Sequence, residues 1–238
     1  MARRISKLKV AATALLLALF AFLLYQFGLF VMVVWLCFHD PGSSAFMKAT
    51  RAELRRENPD AVIRYQWVPY DRISNNLKRA VIASEDANFV VHDGVEWEAI
   101  KKAWEYNARQ AEQGGGRVRG GSTITQQLAK NLFLSSERSY WRKAQELALT
   151  YMIESVMSKQ RILELYLNLA QWGENVFGAE AAAAHYYRGS AARLGSAQAA
   201  RLAAMLPNPA YYDKRGDTSY LRSRTATIQK RMRLVEIP

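Results

Sequence analysis

No charged residue interrupts the chain from Val10 to Phe38, and that run limits what the molecule can be. As a helix it reaches roughly 43 Å, more than the ~30 Å hydrocarbon core of a bilayer demands. Gln26 and Gly28 are its soft spots. A cleaved signal peptide would have a shorter apolar core followed closely by a small-x-small site, and none follows directly here. Residues 10–38 therefore read as a retained single-pass anchor, with residues 1–9 as a basic tail. Arg3, Arg4, Lys7 and Lys9 precede the span, whereas His39, Asp40 and only then Lys48 follow it. The positive-inside rule expects a cytoplasmic N-terminus and the rest of the chain outside.

The 238 residues leave room for one sizeable domain after the anchor. Of the net charge of +12, four units lie in the first nine residues and the remainder falls on the outer part. In a cytosolic protein that excess would point first to nucleic acid. Outside a membrane, anionic lipid head groups or pyrophosphate-bearing substrates fit better, and no nucleic-acid partner is expected. The one cysteine, Cys37, sits in the span, so the domain has no disulfide and depends on its core.

Residues 39–70 carry Pro41, Gly42, Pro59 and Pro69 among short apolar pieces and read as a stalk and irregular lead-in. From there the pattern turns helical. Asp71 or Ser74 is expected to cap a helix ending near Glu85, and Asp93 another running to about Gln113. That second helix puts Trp97, Ile100 and Trp104 on one face, which suits core packing or a bilayer surface. A Gly-rich basic connector, Gly114 to Gly121, follows, without the Lys-Ser/Thr pair of a phosphate-binding P-loop. Ser122 is expected to cap a helix to about Leu134, with Gln126, Gln127, Lys130 and Asn131 forming a polar stripe and Ile124, Leu128 and Leu132 an apolar one. Ser139 reads as the next cap, and another amphipathic helix follows Ser158 and closes near Gly173. Gly178 to Tyr187 is Ala-rich, Ser196 to Leu206 is a compact helix stopped by Pro207, and a basic helix runs from about Ser219 to Glu236. No alternating strand pattern and no repeat occurs, so the fold class is all-α.

Ser84 to Gly94 places two carboxylates, Glu85 and Asp86, where an apolar helical run meets an aromatic, His and Gly turn. An isolated acidic pair is ordinarily a solvated helix end. Held by helix packing with its oxygens in a cleft, such a carboxylate is a general base.

The residues further along change that balance. Glu-Asp-x-x-Phe-x-x-His-x-Gly at Glu85 to Gly94 resembles the first motif of the peptidoglycan glycosyltransferases, glycosyltransferase family 51. Gly-Gly-Ser-Thr-Ile-Thr-Gln-Gln-Leu-Ala-Lys-Asn at Gly120 to Asn131 resembles the second, and Arg142-Lys143-x-x-Glu146 the third. Ile162 to Asn168 and Gly178 to Tyr187 match the fourth and fifth. The five stand in family order across residues 70 to 210. Gln198 departs from the Glu that relatives often carry there. The chain ends soon after the fifth motif, and no Lys-Thr-Gly occurs, so the monofunctional form, without a transpeptidase module, is expected.

The resemblance implies a lysozyme-like glycosyltransferase domain over residues 71–238, with a smaller membrane-facing lobe at about 93–121. It implies polymerisation of lipid II into β-1,4-linked glycan with inversion and release of undecaprenyl pyrophosphate, at the periplasmic face of a bacterial inner membrane. Glu85 would be the base on the acceptor, and Glu146 the second family glutamate, orienting the pyrophosphate or its counter-charges. Lys130 and Arg138 would meet the donor phosphates. Ser122, Gln126 and Asn131 are candidate sugar or phosphate contacts, with Asp86, Phe89, His92 and Lys143 also assigned to the substrate site. Read without the family, Glu146 is a helix-surface ion-pair partner and Lys130 a solvated cation. His92 and His185 lack metal-ligand spacing and suit structural hydrogen bonds. No cofactor is obligatory; a Mg or Mn ion would ride on the substrate pyrophosphate. Lipid II, the nascent strand and membrane lipid are the expected partners, with cell-division or elongation proteins as candidates. A glycan-cleaving enzyme would not need the basic residues or the second motif, and a scaffold would not need Glu85.

Overall fold

The structure is a computed structural model that describes residues 7–115, 120–134 and 139–238. It divides between His39 and Asp40 into two compact units. The first is a 30-residue helix, α1 (Lys7–Leu36). Within it Lys9–Leu36, 28 residues, is long and apolar enough to cross a membrane, as the sequence requires of a single-pass anchor.

The second unit is mainly helical. Its first helix, α2 (Ala45–Glu57), lies inside the expected stalk, with Ser44 accepting the Met47 N–H as N-cap and Arg55 and Arg56 in the last turn. The flanking Pro and Gly residues that suggested irregularity bound this helix and do not interrupt it. The stalk expected at 39–70 is thus part of the compact unit, with α2 against the later helix that carries the second motif.

After a short 3₁₀ turn, α3 (Asn75–Glu85) is capped by Ser74 and buries Leu77, Ala80, Val81, Ile82 and Ala83. Helix α4 (Trp97–Glu112) begins three residues later than an Asp93 cap would place it and has no side-chain cap. It buries only Ala103, and Trp97 and Trp104 are 60% and 71% exposed, so its tryptophan face is not core. Helix α5 (Ile124–Phe133) is capped by Thr123, not Ser122. Helices α6 (Tyr140–Val156) and α7 (Lys159–Leu169) take Ser139 and Ser158 as N-caps. There follow α8 (Ala179–Tyr187), α9 (Ser196–Met205), α10 (Pro209–Arg215) and α11 (Ser219–Arg231), the last ending short of Glu236.

The only sheet among the described residues pairs β1 (Arg64–Tyr65) in parallel with β2 (Val176–Phe177), Arg64 opposite Val176. Two residues are too short to show alternation. Two helical groups then frame the site. Helices α3, α9 and α11 pack on one another, and α5 packs on α6, α7 and α2. Glu85 ends a helix of the first group, and α5 belongs to the second.

Candidate active site

The first motif is a knot of side chains. Asp86, 4% exposed, ends α3 and receives His92 Nε2 at 2.8 and 3.0 Å on its two oxygens. Its Oδ2 also accepts the Ile124 N–H at 3.0 Å, placing negative charge at the N-terminus of α5, where the helix dipole favours it. The Gly94 N–H donates to His92 Nδ1 at 3.0 Å. A backbone N–H can only donate, so Nδ1 accepts and the proton sits on Nε2. Gly94 has φ 83°, and a Cβ there would lie 2.6 Å from Glu154 Cγ and 2.8 Å from Thr150 Cγ2. Only glycine fits such a turn. Phe89 is fully buried. Asp86, Phe89 and His92, assigned from the sequence to the substrate site, are thus placed in the framework behind Glu85.

Glu85 itself is half-buried. Gln127 Nε2 donates to its Oε2 at 3.0 Å, and the Ser84 hydroxyl lies 3.1 Å from Oε1. The buried Tyr166 hydroxyl donates to Gln127 Oε1 at 2.9 Å, so the amide must turn its NH₂ toward Glu85. Burial pushes the Glu85 carboxyl above the ordinary value of 4.5, and Asp86 adds to this; the Gln127 and Ser84 hydrogen bonds and the Arg224 charge oppose it. Desolvation wins, as is usual for a carboxylate on an apolar helix end.

A cleft of about 950 Å³ opens on this carboxylate. Ser84, Glu85, Gln127 and Lys130 line it from α3 and α5, Tyr106 from α4, Gly120 and Ser122 from the segment before α5, and Tyr220, Ser223 and Arg224 from α11. Ser122, freed from capping, faces it, with Lys143 Nζ 3.5 Å from its hydroxyl.

The third motif supplies the positive side. Glu146 is 3% exposed; Arg142 Nη1 reaches one oxygen at 2.8 Å and Lys143 Nζ the other at 2.5 Å. One buried carboxylate thus gathers two cations, and Arg142 Nε is buried with no partner among the described residues. Lys130 lies within electrostatic reach of Glu146, Arg142, Lys143 and Glu85. Burial pushes its amine down, Arg142 and Lys143 push the same way, and the two glutamates oppose them. The cluster carries surplus positive charge that a diphosphate would relieve. Arg138 lies outside the described residues.

Two sequence expectations change. Gln126 is buried and closes the α5 capping box, its Oε1 accepting the Thr123 N–H at 3.1 Å while Thr123 Oγ1 accepts the Gln126 N–H. It is a cap partner, and Gln127 takes the place in the cleft. Asn131 is likewise buried and is not among the residues lining the cleft. The Thr-x-x-Gln spelling of a capping box was readable in the sequence. Gln127, Tyr166 and Arg224 were missed: a glutamine in a polar stripe, a tyrosine on an apolar face and an arginine in a basic helix look ordinary. The donor set does not fit a protein-held divalent cation. The Glu146 oxygens are taken by Arg142 and Lys143, those of Glu85 by Ser84 and Gln127, and no group of three or more His, Cys, Asp or Glu converges among the described residues.

A carboxylate that can take a hydroxyl proton, facing a cleft whose other wall is cationic, is built for displacement of an anionic leaving group. Comparison with known proteins agrees. The model of the family described as Transglycosylase matches residues 53–233, and the chain belongs to that family. The chain is 66% identical over 237 residues to the "Biosynthetic peptidoglycan transglycosylase" of Bordetella pertussis, covering 100% of this chain and 98% of the relative. It is 56% identical to the protein of that name from Methylobacillus flagellatus, over 94% and 96% of the two chains. With the Laribacter hongkongensis protein, also so named, it shares 55% identity over 96% and 98%.

Proposed function

We propose that this chain is a peptidoglycan glycosyltransferase that polymerises lipid II. Glu85 takes the proton of the acceptor 4-hydroxyl, and that oxygen attacks the anomeric carbon of the donor from the face opposite the pyrophosphate. The bond from that carbon to the pyrophosphate oxygen breaks, and undecaprenyl pyrophosphate leaves with the electron pair beside Lys130, Lys143 and Arg142. One displacement inverts an α-linked donor into a β-1,4 product. Arg138 is assigned there by resemblance. Ser122 contacts sugar or phosphate. A Mg or Mn ion, where one takes part, arrives on the substrate pyrophosphate.

The observation that carries the reading is Glu85 and Lys130 lining one cleft, with Arg142, Lys143 and Glu146 within electrostatic reach of Lys130, in a chain of the transglycosylase family. The basic residues before the span favour a cytoplasmic N-terminus and a periplasmic domain at the inner membrane.

Labelled lipid II in detergent, given to the purified full-length protein and to Glu85→Gln, tests this. The expected result is lysozyme-sensitive polymer from the wild type and a loss on the order of a thousandfold in the variant. Polymer formed equally by both would remove Glu85 from the chemistry. No polymer from either, with lipid II still bound, would point to a scaffold.

A further inference from the structure

Arg224 acts electrostatically on the base, and no sequence signal singled it out. It stands on α11, and its Nη2 donates to Ser84 Oγ at 3.1 Å and approaches the Ser84 carbonyl at 3.5 Å. That hydroxyl has one proton, within reach of Glu85 Oε1 at 3.1 Å and of the Ala203 carbonyl at 3.3 Å. With Arg224 donating to its oxygen, Ser84 turns its proton outward, and an ionised carboxylate is the stronger acceptor.

The neighbouring arginines behave differently. Arg222 and Arg201 both pair with Asp217, at 2.8 and 2.6 Å. Arg224 has no acidic side chain bound to it among the described residues, its Nε is buried without a partner, and it lines the cleft with Glu85. A partly desolvated guanidinium kept free of a carboxylate is costly for a merely structural tie. Its charge is left to act on the base.

We propose that Arg224 is a positioning residue for the general base, holding Ser84 so that its hydroxyl fixes Glu85 Oε1 for proton abstraction. The role rests on the glycosyltransferase reading above. It explains why the last helix belongs to the site: α11 packs on α3 and α9 and closes the electrostatics of a base that ends α3.

The charged and titratable groups facing Glu85 are Asp86 after α3, Lys130 on α5, Tyr166 on α7 and Arg224 on α11. Asp86 and burial favour the protonated acid, whereas Arg224 opposes them. Removing Arg224 therefore raises the pH at which Glu85 loses its proton.

The test is the pH profile of lipid II turnover by full-length Arg224→Met, Arg224→Lys, Ser84→Ala and, as control, Arg222→Met. Beside it runs the titration of the Glu85 carboxyl by ¹³C NMR of glutamate-labelled protein in micelles, assigned with Glu85→Gln. Arg224→Met is expected to lower turnover by about tenfold or more, with its acid limb moved to higher pH so that the loss shrinks in alkali. Arg224→Lys should keep the limb near its wild-type place, and Ser84→Ala should reproduce part of the loss. Arg222→Met should leave the limb unmoved. A uniform loss at every pH, with the Glu85 titration in place, would overturn the proposal and leave Arg224 a structural tie between helices. If the wild type makes no polymer, the glycosyltransferase reading fails, and the Glu85 titration in the Arg224 variants still decides the positioning role.

Discussion

At the scale of the residue, the chemistry depends on a carboxylate held where folding disfavours its charge. The Glu85 carboxyl is pushed above its ordinary 4.5 chiefly by burial, so the folded chain binds that proton more tightly than the unfolded one. Below pH 4.5 both states carry the proton and the contribution to stability is complete. As pH rises past that value the unfolded chain ionises first, and stability falls until the raised folded value is passed. Glu85→Gln removes this slope and keeps an amide of the same size. The variant should be more resistant to urea than the wild type at neutral and alkaline pH, with the gap closing toward acid, measured as unfolding midpoints of both proteins across pH. Parallel pH dependences would show that Glu85 carries no such burden. A gain in stability with a loss of activity is expected of a group selected for chemistry.

At the scale of the element, the join between α3 and α5 matters most, because Glu85 and Gln127 meet only if those two helices keep their register. Asp86 makes that join: it ends α3, takes His92 on both oxygens and caps the first turn of α5 through Ile124. Asp86→Ala strands the Ile124 N–H and His92 Nε2 in a buried site and should cost about 1–3 kcal/mol, read as a lower urea midpoint of the full-length protein. Unchanged stability with lost lipid II binding would return Asp86 to the substrate site, where its motif had placed it. Helix starts were partly legible from local signals: Ser74 and Ser139 cap the helices their positions foretell, whereas Asp93 and Ser122 do not cap α4 and α5. Helix α2 was obscured because Pro and Gly mark its borders as strongly as they would mark a loop. Glu85, Glu146 and Lys130 could be read from motif residues. Gln127 was passed over beside Gln126 because both lie in one polar stripe, and the Thr123–Gln126 capping box was the signal that separates them. Arg224 was illegible because its meaning lies in contacts with residue 84, far off in sequence.

At the scale of the molecule, a soluble cleft must receive a substrate whose tail stays in lipid, and α4 stands where that demand falls. Tyr106 lines the cleft. Trp97 and Trp104 are seven residues apart and share one helical face, while Tyr106, nine residues from Trp97, points to the opposite face. Both tryptophans are exposed at 60% and 71%, and α4 buries only Ala103. A core role for this stripe is thereby removed, and indole side chains are at home where one end is apolar and the other wet. The positive charge outside the anchor would favour the same approach to anionic head groups. The expectation is that α4 rests at the bilayer surface and brings the cleft to lipid-borne substrate. Full-length protein in vesicles with brominated acyl chains should show quenched tryptophan fluorescence. Trp97→Ala with Trp104→Ala should lose the part of the quenching beyond that of Trp35 in the span, and its KM for vesicle-borne lipid II should rise several-fold with kcat little changed, because what is lost is presentation of substrate and not chemistry. Unaltered quenching and unaltered KM would mean that α4 faces water and that the tail is held elsewhere.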